Sequence, residues 1–304
     1  MLLTDLDNEY MFHIQVKGYT PRTIRRYKDN GKRFIAFLES EFEVTELDEV
    51  KTLHIKQYGM QLLKKGRKET YINSIYKRIR SFFDYAIDEG YILPKHNPCG
   101  GVKWLNEETP VIKAFTTDEI KALINAYKMT TYIEARNKLI IMVFADTGLR
   151  NLELCHLMKS NVGETTIKIL GKGKKERYLA ISPALKKYLI KFDRIREQYM
   201  KDDFRHHDNL FLSYRGKPLT VEAVERIVKI AGERAGITRA IRISPHSIRH
   251  TYAQMMLQNG CDVYSLSRLL GHEDISITKR YLQSLEDDKI VELSIKSSPL
   301  MNLK

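Results

Sequence analysis

Apolar residues recur at three- and four-residue intervals through most of the 304-residue chain, a spacing typical of amphipathic α-helices. In the first third of the chain this pattern predicts four helices, at residues 2–16, 21–41, 53–65 and 69–89. Thr20 before Pro21 predicts an N-cap followed by proline in the first helical turn, and Gly90 marks the end of the fourth helix. This part of the chain should therefore be helical throughout.

Further helices are predicted in the rest of the chain, near residues 118–127, 133–144, 151–158, 184–200 and 221–235. Residues 166–181, TIKILGKGKKERYLAI, depart from the helical spacing and form two alternating runs around a Gly-Lys-Gly turn. Such alternation predicts a β-hairpin, here with a lysine at its tip. The predicted fold class is therefore mainly α, with a small β-hairpin sheet in the second part.

Length and turn residues indicate two domains. A chain of 304 residues exceeds what one hydrophobic core usually serves, and prolines and glycines gather between residues 94 and 110. We expect a helical domain at residues 1–105, a linker at 106–115 and a mostly α domain at 116–304.

The charge is unevenly distributed along the chain. The net charge of +13 suits a polyanionic partner, but residues 1–110 contain 18 Lys or Arg against 16 Asp or Glu, a net of only +2. Six of these acidic residues form one run at 39–49, apart from a basic set that we expect to face nucleic-acid phosphates. That set is Arg22, Arg25, Arg26, Lys28, Lys32, Arg33, Lys77, Arg78 and Arg80. Solvated helix faces are the alternative explanation.

Cysteine usage and the amino terminus indicate the cellular compartment. Cys99, Cys155 and Cys261 show no paired spacing, which favours a reducing compartment and argues against a zinc site. The amino terminus lacks the apolar run of a signal peptide, and no stretch approaches 18 apolar residues. We expect a cytoplasmic protein with no membrane partner. His206 and His207, adjacent in a polar loop, are interpreted as a solvated turn and not as a metal site.

Candidate chemistry lies in the stretch from 244 to 281, SPHSIRHTYAQMMLQNGCDVYSLSRLLGHEDISITKRY. His246 and Arg249 follow Pro245 at a spacing of three, so both should project from one face of a helix. His272 falls after a second short helix, and Tyr281 follows nine residues later. Four groups able to hold an anion or move a proton therefore lie on consecutive short elements.

Two other segments could complete a site for phosphodiester chemistry. Arginine guanidinium groups neutralise the charge on non-bridging phosphate oxygens. Arg150 is a second candidate arginine in addition to Arg249, and Glu153, one helical turn later, could hold it in place. A lysine at the hairpin tip could give a proton to a leaving alkoxide, and a tyrosine phenol could attack phosphorus. Such a site would need no metal and no other cofactor.

The chain contains, in order, TGLR (147–150), GKGKKER (171–177), SPHSIRHT (244–251), LLGH (269–272) and Tyr281. This ordered set resembles the tyrosine recombinase, or phage-integrase, family, most closely its Xer-like members. The resemblance covers nearly the whole chain. It implies a SAM-like core-binding domain and a catalytic domain that form a C-clamp around DNA, and an enzyme that cuts and rejoins DNA strands through a Holliday junction without metal or ATP.

The resemblance also implies roles for the matched residues. Arg150 and Arg249 would clamp the scissile phosphate, and His272 would add a hydrogen bond to it. Lys172 would protonate the 5′-oxygen leaving group, although the turn geometry could put Lys174 in that place.

Tyr281 would be the nucleophile implied by the resemblance, forming a 3′-phosphotyrosyl enzyme, with His246 as its acid/base partner.

The binding partners implied by the resemblance would be double-stranded DNA with paired sites and three further copies in a tetramer, in which residues 286–304 are exchanged between protomers. A second recombinase or an accessory protein could take part. The target sequence and the choice among integration, excision and resolution stay open. The alternatives are a type IB topoisomerase and a DNA-binding protein that does not cleave.

Overall fold

The computed structural model describes residues 1–107, 113–171, 176–200 and 207–282, together with residue 295. The chain divides into two compact units, Met1–Thr109 and Pro110–Lys304. In the described part of both units helices predominate, as the apolar spacing predicts. No helix in the described part is long and apolar enough to cross a membrane.

The first unit contains four α-helices, α1 (Leu3–Val16), α2 (Pro21–Phe42), α3 (Thr52–Lys64) and α4 (Glu69–Asp88), followed by a 3-10 turn at Pro94–His96. Each helix begins and ends within one residue of its predicted bounds. Thr20 accepts a hydrogen bond from the backbone N–H of Thr23, so the predicted N-cap of α2 is present. The apolar stripe of α4, including Ile72, Phe82 and Phe83, is buried against the other helices.

The expectation that Arg78 faces DNA is wrong. Its side chain is 1% exposed and pairs with the buried carboxylate of Asp7, and its guanidinium lies over the rings of Tyr10 and Phe82. Gly31 leaves room for this pair, because a Cβ there would overlap the guanidinium. The cause is helical periodicity: Arg78 stands four residues before Phe82, on the apolar side of α4.

The other expected DNA-facing residues differ in their surroundings. Arg80 is half-buried, donates to the carbonyl of Val102 and lies over the ring of Trp104 with 4.4 Å to the centroid, so it takes part in packing within the unit. The remaining seven side chains are exposed: Arg22, Arg25, Arg26, Lys28, Lys32, Arg33 and Lys77. Six of these seven lie on α2, and their contact with DNA stays a prediction.

The second unit is built from eight α-helices and one hairpin within its described residues. The helices are α5 (Thr117–Asn125), α6 (Tyr132–Thr147), α7 (Asn151–Cys155), α8 (Pro183–Met200), α9 (Val221–Arg234), α10 (Pro245–Gln258), α11 (Val263–Leu270) and α12 (Ser276–Lys279). The run from Leu139 to Phe144 in α6 is buried on every side, which places this helix at the centre of the unit.

The predicted hairpin is present as strands β1 (Thr166–Leu170) and β2 (Glu176–Ala180). They pair antiparallel, with Thr166 opposite Ala180 and Leu170 opposite Glu176. Lys172 and Lys174, which lie between the two strands in sequence, are outside the described residues, as are His206 and the segment 286–304 except residue 295.

Two glycine turns bring the chemistry-bearing segments together. Gly148 ends α6 with a φ of 60°, and a Cβ there would overlap the ring of Tyr252 on α10. Gly271 ends α11 with a φ of 65°. Since glycine adopts positive φ without strain, these turns let α7 start directly after α6 and let His272 follow α11 closely.

Replacing Arg78 by alanine is expected to lower the free energy of unfolding of the first unit by about 3–5 kcal/mol, because Asp7 would stay buried without its partner. Lys77→Ala is the matched control and should change stability by less than about 0.5 kcal/mol, since Lys77 is exposed. Chemical denaturation of the full chain, followed by a probe in the first unit, measures both. An Arg78→Ala variant of normal stability but weakened DNA binding would contradict this placement.

Candidate active site

A cavity of about 550 Å³ in the second unit gathers five of the six residues given catalytic roles from sequence. They are Arg150, His246, Arg249, His272 and Tyr281. The sixth, Lys172, lies outside the described residues. Gly171, immediately before it, lines neighbouring cavities together with Gly271 and His272, so the hairpin turn starts beside the site. His250, Arg242 and Glu225 also line the 550 Å³ cavity and were not singled out from sequence.

Arg249 is the most buried cation of the site, with 3% of its surface exposed. Its Nη1 donates to the carbonyl of Gly148 at 2.6 Å and its Nη2 to the carbonyl of Leu270 at 2.8 Å. These carbonyls belong to the ends of α6 and α11, where no further helical N–H is available to them. Burial, followed by the nearby charge of Arg150, lowers the pKa of Arg249 to about 10, so it remains protonated at neutral pH.

Arg150 stands at the start of α7 and is fixed from two sides. Its Nη2 donates to the carbonyl of Gly271 at 2.7 Å, and its Nη1 pairs with Glu153 at 3.0 Å. The second oxygen of Glu153 accepts the backbone N–H of Arg150 at 2.9 Å. The structure thus contains the Arg150–Glu153 contact that the sequence spacing predicts. The side chain of Arg150 is 40% exposed, which leaves it accessible from the cavity.

Arg177 on β2 joins the same carboxylate. Its Nη1 and Nη2 lie 2.9 and 2.7 Å from the two oxygens of Glu153, and its Nε donates to the carbonyl of Leu269 at 2.9 Å. Burial disfavours the ionised form of Glu153. The hydrogen bond and charge of Arg177, followed by the backbone N–H and charge of Arg150, outweigh the effect of burial and hold the pKa of Glu153 below its usual range. Arg177 therefore connects the hairpin to both α7 and α11. Arg177 was not singled out from sequence, although strand alternation places it on the same side as buried Leu179.

His272 contacts Arg249, with 3.0 Å between its Nε2 and Nη2 of the arginine. A guanidinium only donates, so Nε2 is the acceptor and the ring proton is on Nδ1, which donates to Oγ1 of Thr278 at 2.8 Å. Desolvation and the charges of Arg249 and Arg150 lower the pKa of His272 to about 4, so the ring is neutral. His272 thus orients Arg249 in this structure, and its expected hydrogen bond to phosphate stays a prediction.

Tyr281 is 3% exposed and its hydroxyl lies 2.8 Å from Nδ1 of His250. The family resemblance implies His246 as the acid/base partner of the tyrosine, and His250, which stands one turn further along α10, was not singled out from sequence. The rings of His246 and His250 are adjacent, with 4.0 Å between centroids. His246 itself is exposed at the cavity. The spacing of four residues in His246-Ser-Ile-Arg-His250 was the available signal for this pair.

The electrostatics of the cavity keep the histidines neutral and the phenol protonated. Desolvation, the neighbouring His246 and the charges of Arg249 and Arg280 lower the pKa of His250 to about 4. Desolvation and the charges of Arg249, Arg242 and Arg150 also lower the pKa of His246. Burial raises the pKa of Tyr281, although Arg249 and Arg280 oppose this. The arrangement can bind an anion between two fixed arginines, beside a protonated hydroxyl that has a neutral ring nitrogen within hydrogen-bond distance.

Two family matches cover most of the chain. Residues 113–287 match the phage integrase family, and residues 6–92 match the phage integrase N-terminal SAM-like domain. Tyrosine recombinase XerC of Thermodesulfovibrio yellowstonii is 31% identical over 300 residues, covering 96% of this chain and 95% of that relative.

Solved structures agree with the fold. The site-specific recombinase XerH, bound to a palindromic difH substrate in a post-cleavage complex, has a TM-score of 0.74 at 20% identity, over 91% of this chain and 80% of that one. A lambda integrase tetramer bound to a Holliday junction has a TM-score of 0.72 at 17% identity, over 95% of this chain and 78% of that one. By its domain matches and its XerC relative, this chain belongs to the phage integrase family of tyrosine recombinases.

Proposed function

We propose that this protein is a site-specific DNA recombinase that cleaves and rejoins strands through a covalent bond between Tyr281 and a 3′-phosphate. The observation that carries the proposal is the convergence of Arg150, Arg249 and Tyr281 on one cavity. A phosphodiester carries charge on its non-bridging oxygens, and this charge must be stabilised as the nucleophile attacks. Two arginines fixed by backbone carbonyls supply that stabilisation with little reorganisation.

In the proposed cleavage step the oxygen of Tyr281 forms a bond to phosphorus, and the bond between phosphorus and the 5′-oxygen breaks. Arg150 and Arg249 hold the non-bridging oxygens, and His272 keeps Arg249 in place. The leaving 5′-oxygen takes a proton from Lys172, a role carried by the resemblance and by the position of Gly171 beside His272. Rejoining is the reverse of this step with the 5′-hydroxyl of another strand. The phosphotyrosyl bond retains the energy for it.

Exchange between two DNA sites requires several copies of the chain. The lambda integrase neighbour is a tetramer on a Holliday junction, which supports a homotetramer on paired sites for this protein. The segment 286–304 is our candidate for the contact between protomers. The seven exposed residues of the basic set predicted from sequence supply positive charge for the DNA backbone. We place this activity in the cytoplasm, where thiols such as Cys99 stay reduced.

Tyr281→Phe should abolish covalent attachment and leave DNA binding intact, because only the phenol oxygen is removed. The measurement uses nicked suicide duplexes in EDTA and detects the protein–DNA adduct on a denaturing gel, with binding followed separately by gel shift. Wild-type protein should form the adduct under these conditions. An adduct formed by Tyr281→Phe would show that another residue is the nucleophile, and adducts scattered over any duplex would favour a topoisomerase.

Arg177→Lys should slow cleavage about 10- to 100-fold with unchanged DNA affinity, because a lysine cannot make the two-pronged contact that fixes Glu153 and, through it, Arg150. Arg194→Lys is the matched control, since Arg194 is exposed on α8. Single-turnover rates on the suicide duplex report the effect. Equal rates for the two variants would mean that the hairpin contact does not position the arginine clamp.

A further inference from the structure

We infer that His250 takes the proton of Tyr281 when the tyrosine attacks phosphorus. This inference rests on the proposed function and assigns the proton acceptor within it. The role would otherwise fall to His246, four residues earlier on the same helix.

The geometry supports His250 directly. Its Nδ1 lies 2.8 Å from the hydroxyl oxygen of Tyr281, within the distance that general base catalysis requires. The position of the ring is well fixed, because α10 on either side of it is anchored by buried residues such as Ile248 and Ala253. The acceptor is thus already aligned with the nucleophile. His246 is exposed at the cavity. It is therefore better placed to contact DNA than to accept a proton from the buried hydroxyl of Tyr281.

The protonation states agree with this direction of transfer. Burial keeps Tyr281 protonated, so the phenol must lose its proton during attack. The groups that face His250 are His246 and Arg249 on the same helix, Arg280 and Tyr281 on the segment after α12, and His272 after α11. Desolvation and the positive charges of Arg249 and Arg280 keep His250 neutral, and a neutral ring with its proton on Nε2 accepts at Nδ1.

A bound phosphate would make His250 a stronger base. The negative charge of a scissile phosphate between Arg150 and Arg249 offsets their positive charges, and a nearby negative charge favours the protonated form of histidine. The step then balances: the oxygen–phosphorus bond forms, the phenol proton moves to Nδ1 of His250, and the electron pair of the breaking bond leaves with the 5′-oxygen. On rejoining, His250 returns the proton to the tyrosine.

The test compares His250→Asn with His250→Ala in single-turnover cleavage of a suicide duplex. Asparagine can place a carbonyl oxygen near the position of Nδ1, so it can accept the hydrogen bond but cannot take the proton. We expect both variants to lose about 10²- to 10⁴-fold in rate while DNA binding is retained. His207→Asn, the same change at an exposed histidine elsewhere in the second unit, should cleave like wild type.

Two further readouts separate proton transfer from a structural effect. A duplex with sulfur at the bridging 5′ position has a leaving group that needs no proton, so it should not rescue the His250 variants. Between pH 7 and pH 9 the deficit of His250→Asn should shrink, since hydroxide increasingly deprotonates the phenol without help from the ring. A structural defect would instead give the same deficit at each pH.

The inference is overturned if His250→Asn cleaves within about threefold of wild type, which would leave only a positioning role. It is also overturned if the sulfur substrate restores the variants, or if the deficit stays constant with pH. These results are distinct from failure of the proposed function itself. In that case wild-type protein would form no adduct at Tyr281 on any of the substrates.

Discussion

The second unit depends on the way its helix ends accept hydrogen bonds from arginine side chains. The carbonyls of Gly148 and Leu270, at the ends of α6 and α11, bind Arg249, and the carbonyl of Gly271 binds Arg150. The end of a helix carries partial negative charge and unpaired carbonyls. The helix ends therefore stabilise arginines that lie close enough to repel one another, and the two glycine turns are what allow them to approach.

One carboxylate completes this arrangement. Glu153 is shared between Arg150 and Arg177, so its side chain connects the hairpin to α7, and Arg177 also binds the end of α11. Three arginines against one carboxylate leave an excess of positive charge, which suits a phosphate. Burial is the first cause that keeps His250 and His272 unprotonated, and the charge of Arg249 adds to it. The charge of Arg249 therefore favours both anion binding and neutral proton acceptors.

Local sequence patterns predicted much of this and missed what depends on packing. Helix bounds and the hairpin followed from apolar spacing, and Arg150 with Glu153 from their separation of one turn. The hydrogen-bond partner of Tyr281 could not be predicted from spacing. His246 and His250 lie on the same helix face, and only the position of the Tyr281 ring in the fold distinguishes them. Arg78 was wrongly assigned to the DNA-facing surface because the prediction considered its charge and did not consider its position on the apolar stripe of α4.

We expect Arg249 to neutralise charge on the scissile phosphate. Cleavage by Arg249→Ala should therefore be measured on two duplexes, one with the normal phosphate and one with an uncharged methylphosphonate at the scissile position. The variant should be severely impaired on the phosphate and much faster on the methylphosphonate, because no charge remains to be neutralised. Equal impairment on both substrates would instead assign Arg249 to the framework of the fold.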